Sequence, residues 1–146
     1  MSTLVDTNVL LRRLEPGHDY HRAAGAATSL LIERGQHLHI AASRSPNSGP
    51  WRPGRRRRTG SGPTLPQRHR RSQRSSRPYG LLFSDGAIVY QHWKRLIVER
   101  RVTGRRVFDA RLVAVMLAHG GAQLLTFNGT DFAGLGVPVL EPQAVR

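Results

Sequence analysis

Three aspartates stand where short apolar segments end or helical segments begin. Asp6 comes at the end of the apolar residues of TLVDT, Asp109 opens the segment DARLVAVMLAH, and Asp131 follows QLLTF. Carboxylates that gather at one end of a sheet repel one another, and a bound divalent cation relieves that repulsion. Mg²⁺ prefers carboxylate and water oxygens, and it can activate water for attack on a phosphodiester. Together the three residues predict a metal site for hydrolysis.

Each aspartate also has a purely structural interpretation. Asp6 could cap the helix that follows it, and Asp109 could stabilise its helix from the first turn. Asp131 could close a turn at Phe132. For any one of them alone the structural interpretation is the more common outcome, because capping is the usual task of aspartate at such positions. The case for a site therefore depends on all three meeting.

The segments around the aspartates predict an α/β fold. Apolar runs bounded by turn residues predict strands at residues 3–7, 37–41, 123–127 and 137–140. Apolar residues at helical spacing predict helices at residues 8–14, 18–34, 90–100 and 107–119. This alternation favours a three-layer sandwich, in which helices flank a central parallel sheet. In such sheets, sites form beyond the carboxyl ends of the strands, where Asp6 and Asp131 are expected.

The positive charge is concentrated in one segment of the chain. The 146 residues carry a formal net charge of +14, and residues 43–78, called the Arg-rich segment below, hold 11 arginines and no acid. The other 12 basic residues nearly balance the nine acidic ones. Trp51 and Leu65 are the only hydrophobic residues of the segment, so it cannot build an apolar face and is expected to be irregular or disordered. We expect a single domain over residues 1–146, interrupted by this segment.

Several functional classes are excluded by composition. The chain has no cysteine, which rules out disulfides, zinc–thiolate sites and cysteine nucleophiles. No apolar run approaches the length of a membrane span, and the first residues do not resemble a secretory signal. A soluble cytoplasmic protein without a membrane partner is therefore expected.

Three stretches together resemble one known family. VDTNVLL, FDARLVAVMLAHG and LLTFNGTDF are similar to signature stretches of PIN-domain ribonucleases, especially toxins of the VapC type, and they come in the family's order. The resemblance covers about residues 1–42 and 81–146. It implies a PIN-like fold and a Mg²⁺- or Mn²⁺-dependent endoribonuclease, the toxin component of a type II toxin–antitoxin system. It also implies an RNA substrate, a cognate antitoxin and a homodimer.

The resemblance also assigns residues to the site. Asp6 and Asp109 match the family's metal-binding aspartates, and Asp131 matches its last acidic position. Thr7, Asn8 and Asn128 are polar neighbours of these positions, so they are candidates for supporting roles.

The Arg-rich segment departs from the family's pattern. The family carries a glutamate on the helix after its second strand, whereas this chain has no acid between Glu33 and Asp85. A shifted reading frame explains the difference. If the third base of each codon is joined to the first two of the next, residues 43–54 admit SLTEFWAVATRP, with the glutamate across the codons of Pro46 and Asn47. The alternative is a genuine basic loop, which is uncommon at this length inside a small domain.

Two further interpretations of the whole chain follow. The protein could be a catalytically inactive PIN-like relic that binds RNA non-specifically through the Arg-rich segment, because arginines bind phosphates without reading bases. Alternatively, the chain could fail to fold stably, because a helix has been replaced by polar sequence. As a nuclease, the chain is expected to be impaired by the missing glutamate.

Overall fold

The strands alternate with helices along the chain as the sequence predicts. The computed structural model describes residues 1–42, 79–83 and 86–146, which belong to one compact unit. Its strands are β1 (Ser2–Val5), β2 (His37–Ala42), β3 (Tyr79–Phe83), β4 (Gln123–Leu125) and β5 (Val139–Leu140). Its helices are α1 (Thr7–Leu14), α2 (His21–Glu33), α3 (Ala87–Arg100) and α4 (Arg106–Ala118), and 3-10 turns cover Gly129–Phe132 and Pro142–Ala144.

The five strands form one parallel sheet in the order β3-β2-β1-β4-β5. The central strand β1 pairs with β2 on one side, where Leu4 is opposite His39. On its other side β1 pairs with β4, where Val5 is opposite Leu125. The chain therefore extends the sheet outward from β1 in two directions, first toward β3 and later toward β5. The predicted α/β class with a parallel sheet is confirmed.

Two apolar clusters lie on the two faces of the sheet. Leu4 and Leu124 pack with residues of α3 and α4, including the fully buried Val113. Val5 and Leu125, the next residue of each strand, pack with residues of α1 and α2. Because successive side chains of a strand point to opposite faces, the alternation explains how two strands supply both clusters. Helices therefore cover both faces of the sheet, which gives the three layers predicted from the sequence.

The structure corrects several predicted bounds: α2 begins at His21 rather than at residue 18, α3 at Ala87 rather than at residue 90, and β5 at Val139 rather than at residue 137. β1 ends at Val5 rather than at Thr7, so Asp6 and Thr7 leave the strand and start α1. Tyr79–Phe83 forms a strand that the patterns did not predict, and it pairs with β2 along its whole length. β4 ends at Leu125 rather than at residue 127, because the chain turns toward α1 at that point.

The predictions for the Arg-rich segment lie outside the described residues. These are its irregular structure, its interruption of a single domain, and the shifted frame. Across residues 1–42, 79–83 and 86–146, no helix has both the length and the apolar character that crossing a bilayer requires.

Candidate functional site

The strands that follow β1 first add to one side of it, as β2 and β3, and later to its other side, as β4 and β5. The strand order therefore changes direction between β1 and β4. In open parallel sheets, a crevice forms at such a point beyond the carboxyl ends of the strands, and ligands bind there. Asp6 is the first residue after β1, and its backbone N–H donates to the carbonyl of Leu125 at 2.9 Å. Thr126 is the first residue after β4. The two residues therefore meet where the topology predicts a site.

The carboxylate of Asp6 is held by the end of β4. The hydroxyl of Thr126, which is completely buried, donates to Oδ2 of Asp6 over 2.7 Å. Asp6 occupies the N-cap position of α1, but its side chain makes no capping hydrogen bond. The structural interpretation of Asp6 as a helix cap is therefore wrong, because its carboxylate is directed at the neighbouring strand. Within the described residues, Oδ1 of Asp6 accepts no hydrogen bond.

Thr126 is itself fixed by two further hydrogen bonds. Nδ2 of Asn8 donates to its hydroxyl oxygen at 3.0 Å, and the backbone N–H of Asn128 donates to the same oxygen at 3.1 Å. Oδ1 of Asn8 accepts from the backbone N–H of Phe127 at 3.4 Å. Asn8 thus links α1 to the residues after β4, and Asn128 contributes through its backbone. Thr7 differs from both, because its exposed side chain lines the pocket directly.

Asp109 faces Asp6 across a pocket of about 350 Å³. It lies in the first turn of α4, and burial raises the pKa of its carboxyl. The negative charges of Asp131 and Asp6 raise that pKa further, while the guanidinium of Arg106 lowers it. Among the described residues no group donates a hydrogen bond to the Asp109 carboxylate. Burial and the two neighbouring carboxylates outweigh the positive charge of Arg106, so a bound cation would favour the charged form of Asp109.

Asp131 lies beside the pocket rather than inside it. It is exposed on the 3-10 turn Gly129–Phe132, and it is not among the residues that line the pocket. The negative charge of Asp131 nevertheless raises the pKa of Asp109 more than the negative charge of Asp6 does. The two observations agree because a charge acts through space over several ångströms, so Asp131 can affect Asp109 without itself contacting the pocket. Asp131 is thus placed at the rim.

The rest of the pocket is apolar with a cationic edge. Its remaining lining residues are Ala41, Phe108, Arg111, Leu112, Val115 and Phe132. Phe108 is 76% exposed, although it is a large aromatic residue. Arg111 places its guanidinium 5.9 Å from the centre of the Trp93 ring. The two carboxylates of this pocket can bind a cation, and the cation can in turn bind a negatively charged group of a polar ligand. The apolar walls and the arginine suit the rest of such a ligand.

The donor set fits a hydrated cation better than an enclosed one. In the described part of the chain, no group of three or more histidines, aspartates and glutamates is close enough to hold a metal ion. Mg²⁺ is often held by one or two carboxylates and keeps several water ligands. Asp6 and Asp109 meet that requirement, and the repulsion that raises the pKa of Asp109 would be relieved by the cation.

Two residues of this site were not found from the sequence. Thr126 interrupts the apolar run LLTF, and a polar residue at the end of a buried strand is a usable signal. Phe108 is part of the stretch FDARLVAVMLAHG, and nothing in the spacing of that stretch indicates its exposure. Thr7, Asn8 and Asn128 were predicted as polar neighbours, and all three lie at the carboxyl end of β1 or β4.

Comparisons with known proteins do not name a family for this site. No protein-family model matches the chain, and no curated protein matches it.

Proposed function

We propose that this protein is a metal-dependent endoribonuclease. The observation that carries the proposal is that Asp6 and Asp109, which lie 103 residues apart in the sequence, line one pocket beyond the carboxyl end of the central strand. Both would hold Mg²⁺ or Mn²⁺, and Asp131 would act from the rim. A bound divalent cation neutralises a phosphate and makes its bound water a stronger nucleophile. The resemblance of VDTNVLL, FDARLVAVMLAHG and LLTFNGTDF supports RNA as the substrate.

The residues of the chain contribute orientation and charge. Thr126 fixes one oxygen of Asp6, so the other oxygen is free to bind a ligand without rearrangement of the side chain. Asp109 and Asp131 add negative charge that increases the attraction for a cation. The apolar walls formed by Leu112 and Val115 keep part of the pocket dry, which strengthens electrostatic interactions inside it.

The experiment is RNA cleavage by the full-length chain in Mg²⁺, in Mn²⁺ and in EDTA. Supporting residues around metal ligands typically change activity about 10–100-fold, so Asp6→Asn and Asp109→Asn should each lose more than about 100-fold. Asp131→Asn should lose less, because Asp131 lies at the rim. Asp19→Asn is the matched control, since Asp19 is exposed and does not line the pocket. Cleavage that continues in EDTA, or that is unchanged in Asp6→Asn, would refute the proposal.

A second candidate function follows from the distribution of charge. The Arg-rich segment holds 11 of the 23 basic residues, so the protein could bind RNA without cleaving it. Such binding would weaken steeply with salt and would be nearly indifferent to base sequence. A chain without residues 43–78 tests this candidate. Loss of binding in that chain, together with no cleavage by the parent, would favour the second candidate over the first.

The resemblance extends the proposal to the protein's partners and location. We propose a cognate antitoxin, a homodimer and a cytoplasmic toxin. Apolar side chains on two helices leave surface for such contacts, because Leu11 on α1 and Ile88 and Val98 on α3 are each more than half exposed. The molar mass measured by light scattering tests the homodimer. A monomer across the whole concentration range would contradict it.

A further inference from the structure

Phe108 is an exposed aromatic residue at the edge of the carboxylate pocket. It directly precedes Asp109 in α4, lines the same pocket, and is 76% exposed. An aromatic ring that stays in water lacks the stabilisation that burial of its apolar surface would give. Elsewhere on the surface, a single exposed ring would need no explanation. At the edge of a candidate active site, the ring is available to a ligand that reaches Asp109.

Three arginines lie near Phe108 in the sequence, at the start of α4. Arg105 and Arg106 precede it, Arg111 follows it by one turn, and all three are exposed. Arg106 is close enough to Asp109 to lower the pKa of that carboxyl, and it donates to the carbonyl of Ala133 next to the 3-10 turn. Arginine suits phosphate because its planar group donates several hydrogen bonds at once. Aromatic rings combined with cationic side chains are the usual means of binding single-stranded nucleic acid.

We infer that Phe108 stacks on an unpaired base of single-stranded RNA, while Arg105 and Arg106 bind phosphates of the same strand. The inference rests on the proposed function, because it specifies which form of RNA the pocket accepts. Stacking on a side chain requires a base that is free of its neighbours, and the bases of a duplex already stack on one another. Single strands and loops should therefore bind in preference to duplexes.

The experiment measures binding rather than cleavage. A fluorescently labelled, 2′-O-methylated single strand is titrated in EDTA, at several salt concentrations, with the full-length chain and its variants. Phe108→Ala should weaken binding about tenfold at every salt concentration, since one stacked base typically contributes an effect of this size. Phe108→Tyr should bind like the parent because it keeps the ring, whereas Phe108→Leu should resemble Phe108→Ala. Arg105→Ala should instead make the salt dependence shallower, by about 0.7 in the logarithmic slope for one lost phosphate contact.

Leu14→Ala is the matched control. Leu14 is 77% exposed, lies on α1 and does not line the pocket, so its loss tests whether any exposed apolar residue contributes. Its affinity should equal that of the parent. Circular dichroism on each variant verifies that the fold is retained.

Abasic strands test the stacking directly. A single abasic nucleotide is placed at each successive position of the strand. One position should weaken binding to the parent about tenfold, and the same position should cause no additional loss in Phe108→Ala. Parent-like binding by Phe108→Ala or Phe108→Leu, or equal abasic losses in parent and variant, would overturn the inference. A change of oligomeric state in Phe108→Ala without a change in affinity would assign the ring to a protein contact and would also overturn it.

The binding test and the cleavage test can refute the two hypotheses independently of each other. If Phe108→Ala weakens binding but no strand is cleaved in Mg²⁺, the proposed nuclease is wrong and the stacking stands. If cleavage depends on Asp6 but Phe108→Ala binds and cleaves like the parent, the nuclease stands and the stacking is wrong.

Discussion

The hydroxyl of Thr126 lies 2.7 Å from Oδ2 of Asp6 and donates a hydrogen bond to it. This bond joins the first residue after β4 to the first residue after β1, across the point where the sheet changes direction. Because Thr126 is buried and also accepts from Asn8 and from the backbone of Asn128, its hydroxyl cannot easily rotate away. The orientation of the Asp6 carboxylate is therefore built into the sheet.

Thr126→Val should weaken both cleavage and stability. Valine keeps the shape of threonine but removes the hydroxyl, so Asp6 loses its donor and Asn8 loses its acceptor. We expect a drop in Mg²⁺-dependent cleavage of about tenfold and a decrease in the free energy of unfolding of about 1–2 kcal/mol. Thr126→Ser retains the hydroxyl and should preserve most of the activity. Equal cleavage by the parent and Thr126→Val would show that the orientation of Asp6 does not limit the reaction.

The raised pKa of Asp109 should make stability depend on pH. The folded state binds the proton on Asp109 more tightly than the unfolded chain does, so protonation stabilises the fold. This contribution is fully present below 3.8, the ordinary pKa of an aspartate carboxyl, and is lost as pH rises through the raised pKa of the folded state. Asp109→Asn should therefore be more stable than the parent near neutral pH, and the difference should be small because the group is partly exposed and water screens its charge.

Denaturant unfolding in EDTA at a series of pH values measures this difference. The difference in stability between Asp109→Asn and the parent should widen as pH rises above the ordinary pKa of an aspartate carboxyl and then level off. Asp19→Asn gives the baseline for removing an exposed carboxylate. A gap that is constant across the series would show that the environment of Asp109 does not favour its protonated form.

Divalent cations should stabilise the parent and not its site variants. A cation that binds only the folded state adds about 1.4 kcal/mol of stability when its free concentration is ten times its dissociation constant. Thermal unfolding in EDTA and in increasing Mg²⁺ measures this increment. Asp6→Asn and Asp109→Asn should lose most of it, whereas Asp19→Asn should retain it. Identical Mg²⁺ dependence in all four proteins would place any cation elsewhere.

The glutamate missing from the Arg-rich segment leads to a prediction about activity. A chain that carries SLTEFWAVATRP and the continuing shifted frame in place of the Arg-rich segment should cleave RNA faster than the chain as written. It regains a carboxylate for the cluster, and Mg²⁺ tolerates incomplete ligand sets poorly. It also regains an apolar helix, and a small domain has little stability to spare.

Cleavage assays on both chains, each with an Asp6→Asn variant, provide the comparison. Circular dichroism on the two parents separates a defect in folding from one in chemistry. Equal Mg²⁺-dependent cleavage by the two parents, abolished in both variants, would show that residues 43–78 are dispensable.

Periodicity predicted the helices well, because each buries an apolar stripe that the sequence displays. Ala27 and Leu31 of α2 and Val113 of α4 are buried as their spacing requires. The strand Tyr79–Phe83 was not predicted, since it contains a glycine and follows a long polar segment. Its pairing with β2 stabilises the extended backbone that its own residues do not specify. Local pattern was sufficient for the helices, whereas this strand depends on its neighbour.

Only part of the site could be predicted from the local sequence pattern. Asp6 and Asp109 could be proposed because their positions at the ends of elements are visible in the sequence. The burial of Thr126 and the exposure of Phe108 depend on which elements lie beside them, and spacing carries no such information. The position of Asp131 at the rim likewise follows from how the 3-10 turn lies beside α4, so the sequence could indicate its proximity but not its distance.

The distance along the chain between Asp6 and its partners also affects protein synthesis. A ribosome makes Asp6 well before Thr126, which lies 120 residues further along the chain. A nascent chain that ends before β4 has neither the central pairing of β1 with β4 nor the hydrogen bond that orients Asp6. Domains generally fold as units as synthesis proceeds. If the protein is the proposed nuclease, it can therefore cut RNA only after the segment that carries both Asp109 and Thr126 has been translated.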